Sequence, residues 1–211
     1  MRQSLAFSAR GYQIAPVATG DARLPGLLTA CHGYFTLHYG DDARNGTIDA
    51  LVALPTHKSS HDRMLLGVTA PSGELVGLIV LVQNWNRARQ WCLRSMIIDP
   101  AHRGQGLGSA IYSALADQAK RTGAASILIG VLAANSAAHR FWLACGFTEV
   151  GREVRTDLTS DLIHLEHRFC QIQLKTVLPP GRVLGRQIAL TSASLAADHR
   201  SQAPLRWLTA P

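Results

Sequence analysis

Met96-Ile-Ile-Asp-Pro-Ala-His-Arg-Gly-Gln-Gly-Leu-Gly-Ser109 is the stretch that decides the fold. An apolar strand runs into Asp99-Pro100, three glycines follow at every second position, and a helical pattern begins at once. Gly104, Gly106 and Gly108 have no Cβ, so backbone can close around an anion there. The helix behind them presents unpaired amides and the positive end of its dipole. Strand, glycine loop and helix together make a pyrophosphate cradle, and Arg103 adds a charged donor.

Working outward, Leu107, Ile111, Ala114, Leu115 and Ala119 fall on one face of a helix over about 107–122, with Gly123 as its natural stop. Ser126–Leu132 is a continuous apolar run, suited to a strand covered on both faces. Asn135 or Ser136 caps a further helix through Ala144, which Gly146 ends. Phe147–Val154 and Leu162–Phe169 read as the last two strands. Upstream, Arg63–Val68 and Leu75–Val82 flank a hairpin turn, and Gln90–Ile98 is the strand that enters the loop. Tyr12–Val17 reads as the first strand. Asp21 is the expected N-cap of a helix through Leu24, Leu27 and Leu28. Cys31–Gly46 has no clean period, and Thr47–Leu54 reads as a short helix stopped by Pro55. The expected order is β-α-α-β-β-β-α-β-α-β-β, a mixed α/β fold with a mostly antiparallel central sheet flanked by helices.

A Walker loop would need Gly-Lys-Ser/Thr, and a dinucleotide fingerprint from Gly104 would need Gly or Ala where Ser109 stands. Arg103-Gly104-Gln105-Gly106-Leu107-Gly108 instead resembles the (Arg/Gln)-x-x-Gly-x-(Gly/Ala) coenzyme A loop of the GCN5-related N-acetyltransferases, the GNAT superfamily. Asn135-Ser-Ala-Ala-His-Arg-Phe141-Trp142-Leu-Ala-Cys-Gly146-Phe147 is similar to that family's second block and follows at the right distance. The resemblance is sharp over 90–152, extends by element order over 10–170, and is absent from 171–211.

The resemblance implies acetyl-CoA as cosubstrate, no metal, and direct attack by an amine in a ternary complex. It puts the cofactor on Ile97, Ile98, Arg103, Gly104, Gln105, Gly106, Leu107, Gly108, Ser109, Asn135 and Phe141. Amides around Met96 and Ile98 would stabilise charge on the carbonyl oxygen, with pantetheine lying along a strand parted from its neighbour. Asn135 would orient cofactor or water, besides acting as an N-cap. Many relatives carry a tyrosine that protonates the leaving thiolate. Here Trp142 stands in its place, and an indole has no acidic proton to give. Gln90–Ile98 contains no carboxylate, so Glu153 on the late strand is the candidate general base. The expected acceptor is a small-molecule or peptide-terminal amine, with Tyr34, Phe35 and Tyr39 as candidate pocket residues and Asp41, Asp42 and Asp49 lending negative charge. A homodimer paired through the Phe147–Val154 edge is also an expectation.

Composition bounds these readings. The chain has 211 residues, 47% hydrophobic and 17% charged, which suits one globular domain over 1–170 with an appended segment over 171–211, disordered or loosely packed. No apolar run reaches membrane-spanning length and no secretory leader is legible, so the expected location is cytoplasmic. Four scattered cysteines without Cys-x-x-Cys argue against zinc ribbons and for free thiols. The net charge of +7 invites a nucleic-acid partner, including a transferase acting on aminoacyl-tRNA. However, Lys175, Arg182, Arg186, Arg200 and Arg206 against Asp198 place +4 of it after residue 170, away from the loop. His57 and His61 are too loosely patterned for a metal pair. The competing class is a non-catalytic acyl-CoA-binding module, separated from the enzyme by turnover of any amine.

Overall fold

A computed structural model describes residues 5–40, 47–56 and 58–169. The elements are β1 (Phe7–Ala9), β2 (Tyr12–Pro16), α1 (Leu24–Ala30), α2 (His32–Tyr39), α3 (Ile48–Val52), β3 (Arg63–Thr69), β4 (Leu75–Val82), β5 (Gln90–Ile98), α4 (Leu107–Arg121), β6 (Ser126–Leu132), α5 (Ser136–Ala144), β7 (Thr148–Glu153) and β8 (Leu162–Arg168). Asp41, Asp42, His57, Cys170 and the segment 171–211 lie outside the described residues.

Eight strands form one sheet in the order β1-β2-β3-β4-β5-β6-β8-β7. Every neighbouring pair is antiparallel except β5 and β6. That single parallel pair requires a crossover, and α4 supplies it. β4 is buried at all eight positions, as its unbroken Leu-Val-Gly-Leu-Ile-Val-Leu-Val demands of a strand covered on both faces. One core lies against α4, whose Leu107, Ile111, Leu115 and Ala119 are buried as their spacing required. The second lies under α1–α3, where Leu24, Leu27, Phe35, Leu51 and Val52 cover Leu78, Val80 and Ile97.

Three expectations need correction. Asp21 does not cap α1: the N-cap position falls to Arg23, without a side-chain cap, and the Asp21 carboxylate takes the Arg23 backbone N–H at 2.9 Å and its guanidinium instead. The stretch after Cys31 contains a helix, α2. Only Phe35 of that helix is buried, so it has no apolar stripe to read. β1 precedes the expected first strand and is three residues long, too short for an alternation to register. Gly123 and Gly146 do end α4 and α5, at φ of +87° and +91°.

Candidate active site

β5 and β6 pair only at Gln90–Ser126, Trp91–Ile127 and Cys92–Leu128. Beyond Cys92 they part. Leu93–Ile98 on one side and Ile129–Leu132 on the other become facing walls of a cleft of about 560 Å³, within the usual size of a small-molecule site. A buried carboxylate marks the start of the split. Glu166 on β8 accepts from Gln90 Nε2 and Ser126 Oγ, both at 2.7 Å, the first residues of the paired stretch. Arg168 Nε at 2.8 Å and the Arg87 guanidinium complete its shell. Burial pushes Glu166 up, but these donors outweigh it and hold the carboxyl below its ordinary range.

Pairing with β4 fixes what β5 shows the cleft. The Asp99 N–H donates to Val76 O at 2.8 Å in the register that matches Ile97 with Leu78 and Ser95 with Val80. Backbone groups alternate along an antiparallel strand. Ser95, Ile97 and Asp99 therefore spend theirs on β4, while Met96 and Ile98 turn theirs into the cleft. The Ile98 carbonyl is accordingly free of β4 and accepts from Arg103 Nε at 2.7 Å.

The glycine loop closes one end. Gly104 and Gly106 hold φ of +78° and +74°, conformations that L side chains rarely adopt. A Cβ on Gly108 would stand 3.4 Å from Phe141 Cζ and 3.5 Å from Met96 Cε, so α4 starts in close contact with both. A Cβ on Gly106 would stand 3.3 Å from Arg10 Nη1, which brings a second guanidinium from the β1–β2 turn to the loop.

The other end is built by α2. The Tyr34 hydroxyl and Ser95 Oγ share a hydrogen bond of 3.2 Å, and burial pushes the Tyr34 phenol up to about 12, against the Ser95 contact. His38 stacks on Tyr34 with centroids 4.1 Å apart. Its Nδ1 lies 2.8 Å from Tyr34 O. A carbonyl only accepts, so Nδ1 carries the proton and Nε2 is the basic nitrogen. Burial holds the imidazole below its ordinary value, and the backbone bond opposes it. Arg94 also lines this end. It is the extra residue of a bulge: Leu81 pairs with Leu93 and Val80 with Ser95, leaving Arg94 without a partner.

Known proteins fall in line with this geometry. The sequence model of the acetyltransferase (GNAT) family matches residues 49–147. The L-methionine sulfoximine/L-methionine sulfone acetyltransferase of Salmonella typhimurium is 27% identical over 127 residues, 57% of this chain and 72% of its own. Residues 49–147 are thus similar to the GNAT acetyltransferase domain. An acetyltransferase of Thermus thermophilus shares the fold at TM-score 0.61 and 21% identity, over 77% of this chain and 100% of that one. So does a Bacillus subtilis acetyltransferase in complex with CoA, at TM-score 0.53 and 15% identity, over 74% and 98%.

Most of the residues singled out from the GNAT motifs converge. Met96, Ile97, Ile98, Arg103, Gly104, Gly106, Leu107, Gly108, Ser109, Asn135 and Phe141 all line the cleft. Asn135 caps α5, its Oδ1 accepting from Ala138 N at 3.0 Å, so the cap and the cleft position coincide. Two residues do not join them. Gln105 is exposed at the loop tip and outside the lining. Glu153 is also outside it: its Oε2 accepts from His164 Nε2 at 3.0 Å, and Arg155 lies 3.8 Å from the other oxygen. Burial and the Arg155 charge pull His164 down to about 4. Trp142 lines the cleft and packs edge-on against Tyr112 and Phe147. Of the aromatics expected in an acceptor pocket, Tyr34 lines the α2 end of the cleft, and Phe35 is buried in the core beneath α2. Sequence reasoning missed His38, Arg94, Ser95 and Arg10. The first two sat in plain view as polar residues inside otherwise apolar stretches. No group of three or more His, Cys, Asp or Glu able to hold a metal occurs among the described residues, and none of their helices is long and apolar enough to cross a membrane.

Proposed function

We propose that this protein transfers the acetyl group of acetyl-CoA to the primary amine of a small molecule or peptide terminus, by direct attack in a ternary complex. The parting of β5 from β6 beside a positive-φ glycine loop carries this reading. The residues fit a CoA thioester. The loop is cleared of side chains where a pyrophosphate would lie, and Arg10 and Arg103 flank it. The cleft-facing backbone of Met96 and Ile98 offers a pantetheine arm the hydrogen bonds of a missing strand.

Acetyl-CoA supplies an activated acyl carbon and a thiol leaving group. Whichever cleft-facing amide of Met96 or Ile98 meets the carbonyl oxygen stabilises the charge that develops there. His38 is the general base: Nε2 takes a proton from the acceptor ammonium, while Tyr34 O holds the ring in the required tautomer. This replaces Glu153, whose carboxylate is engaged outside the cleft. Tyr34 stays protonated and, with Ser95, forms a hydroxyl wall beside the amine. Trp142 shapes the cleft without donating, and the departing thiolate takes its proton from solvent. A cytoplasmic location follows from the cosubstrate. β7 ends the sheet, with Val150 on it and Val154 just past its end exposed, and a second copy would pair there.

The test is thermal stability with and without acetyl-CoA, wild type against Gly106→Glu. At 100 times its Kd the cosubstrate adds about 2.7 kcal/mol, a rise of several degrees. That rise should vanish in the variant. A wild type indifferent to millimolar acetyl-CoA refutes the proposal, and binding without turnover of any amine would leave the non-catalytic module in its place.

A further inference from the structure

We propose that the acceptor carries a carboxylate close to its amine, as an α-amino acid does, and that Arg94 holds this carboxylate. The inference rests on the acetyltransferase reading above and narrows its acceptor class.

The bulge puts Arg94 where it is. Cys92 and Val82 lie together in a small core beside Trp85, on the sheet face that α1–α3 cover. Simple alternation would give that face Cys92, Arg94 and Met96. The extra residue shifts the phase, so that Met96 packs toward α4 while Ile97 packs under α1–α3. Arg94 and Ser95 therefore leave the strand toward the same helices. Ser95 meets Tyr34, and the Arg94 guanidinium lies 5.9 Å over the Trp85 ring. The bulge thus sets a guanidinium, two hydroxyls and the His38 imidazole around one end of the cleft.

Among the described residues, the lining of that end is one-sided in charge. No aspartate or glutamate is among the described residues lining the cleft, whose two guanidiniums are Arg103 and Arg94. Arg103 sits at the loop and donates to the Ile98 carbonyl. Arg94 makes no ion pair with a described carboxylate, whereas Arg23, Arg87, Arg152, Arg155 and Arg168 each do. An acceptor with several ammonium groups would meet a positive charge and no described counter-charge. A zwitterion meets complementary groups: its carboxylate takes the planar guanidinium fork, and its ammonium faces His38. Stacking over Trp85 limits the guanidinium's freedom before the acceptor arrives.

The test compares acceptors that differ only in the carboxylate: L-methionine sulfone with 3-(methylsulfonyl)propan-1-amine, L-leucine with 3-methylbutylamine, and L-phenylalanine with phenethylamine. Each is assayed for acetylation by wild type, Arg94→Gln and Arg94→Lys. Wild type should favour the carboxylate member of at least one pair by roughly 10- to 100-fold in kcat/KM, the size of a charge-assisted contact. Arg94→Gln should erase that preference, mainly through KM, and Arg94→Lys should restore part of it. Stabilisation by acetyl-CoA should persist in both variants, which shows that they fold. A wild-type preference for the bare amines overturns the inference, as does a carboxylate preference that survives in Arg94→Gln. Acetyl-CoA binding with no acetylation of any pair also overturns it while leaving the cofactor site standing. Loss of acetyl-CoA stabilisation in wild type instead sinks the acetyltransferase reading on which it depends.

Discussion

In the proposed reaction, His38 is the residue on which the chemistry of the acceptor end turns. Its Nδ1 is committed to Tyr34 O and burial depresses its pKa. Basic Nε2 is therefore present at neutral pH and is lost only on acidification below the ordinary histidine value of about 6.5. The acid limb of kcat/KM should lie below that value, and His38→Gln should remove the limb while lowering kcat by about 10²–10⁴-fold. An unchanged limb in the variant would exclude His38 as the base. The residues of the glycine-loop end of the cleft were legible because glycine and its neighbours act through backbone geometry, which is local. Arg94, Ser95 and His38 were not. A bulge is a property of two strands in register, and nothing in Cys92-Leu-Arg-Ser95 alone shows that the phase shifts there. Glu153 shows the converse: its carboxylate lies outside the cleft lining and is bonded to His164, a partner that only the sheet reveals.

Among the elements, β8 holds the split between β5 and β6 in place. Glu166 grips Gln90 and Ser126 at the end where the two strands still pair. Replacing it with Gln removes an acceptor-only group from among four donors. The guanidiniums of Arg87 and Arg168 reach solvent, with side chains 55% and 72% exposed, so little buried charge is stranded. The expected loss is therefore about 1–3 kcal/mol rather than the larger cost of breaking a fully buried pair. Because the folded carboxyl titrates below its ordinary value, its contribution is complete above the unfolded pKa of about 4.3 and disappears as pH falls through the lower folded pKa. Chemical denaturation of Glu166→Gln should converge with wild type in acid and diverge at neutral pH. Equal stability at pH 7 would refute this role. Elements with a strong apolar period, such as α4 and β4, could be read from sequence. α2 could not, since a helix that buries one side chain in eight leaves no stripe.

At the scale of the molecule, the sheet is continuous in order but not in bonding. Strands β1–β5 form one antiparallel block, and β6, β8 and β7 form another. Their backbones meet at three paired positions beside the Glu166 cluster, the core on α4 packs against both, and beyond the pairs the facing backbones look into the cleft. A pantetheine arm lying along Met96 and Ile98 would bridge the two blocks as a ninth strand does, so occupancy should be felt far from the ligand. Hydrogen exchange at the β5 and β6 amides bordering the cleft should slow on adding CoA, and the two blocks should then open together, whereas without it the three-strand block should exchange on its own schedule. Identical protection with and without CoA would contradict this. The cosubstrate would then act as a splint: the molecule that delivers the acyl group would also close the one gap in the backbone bonding between the two blocks.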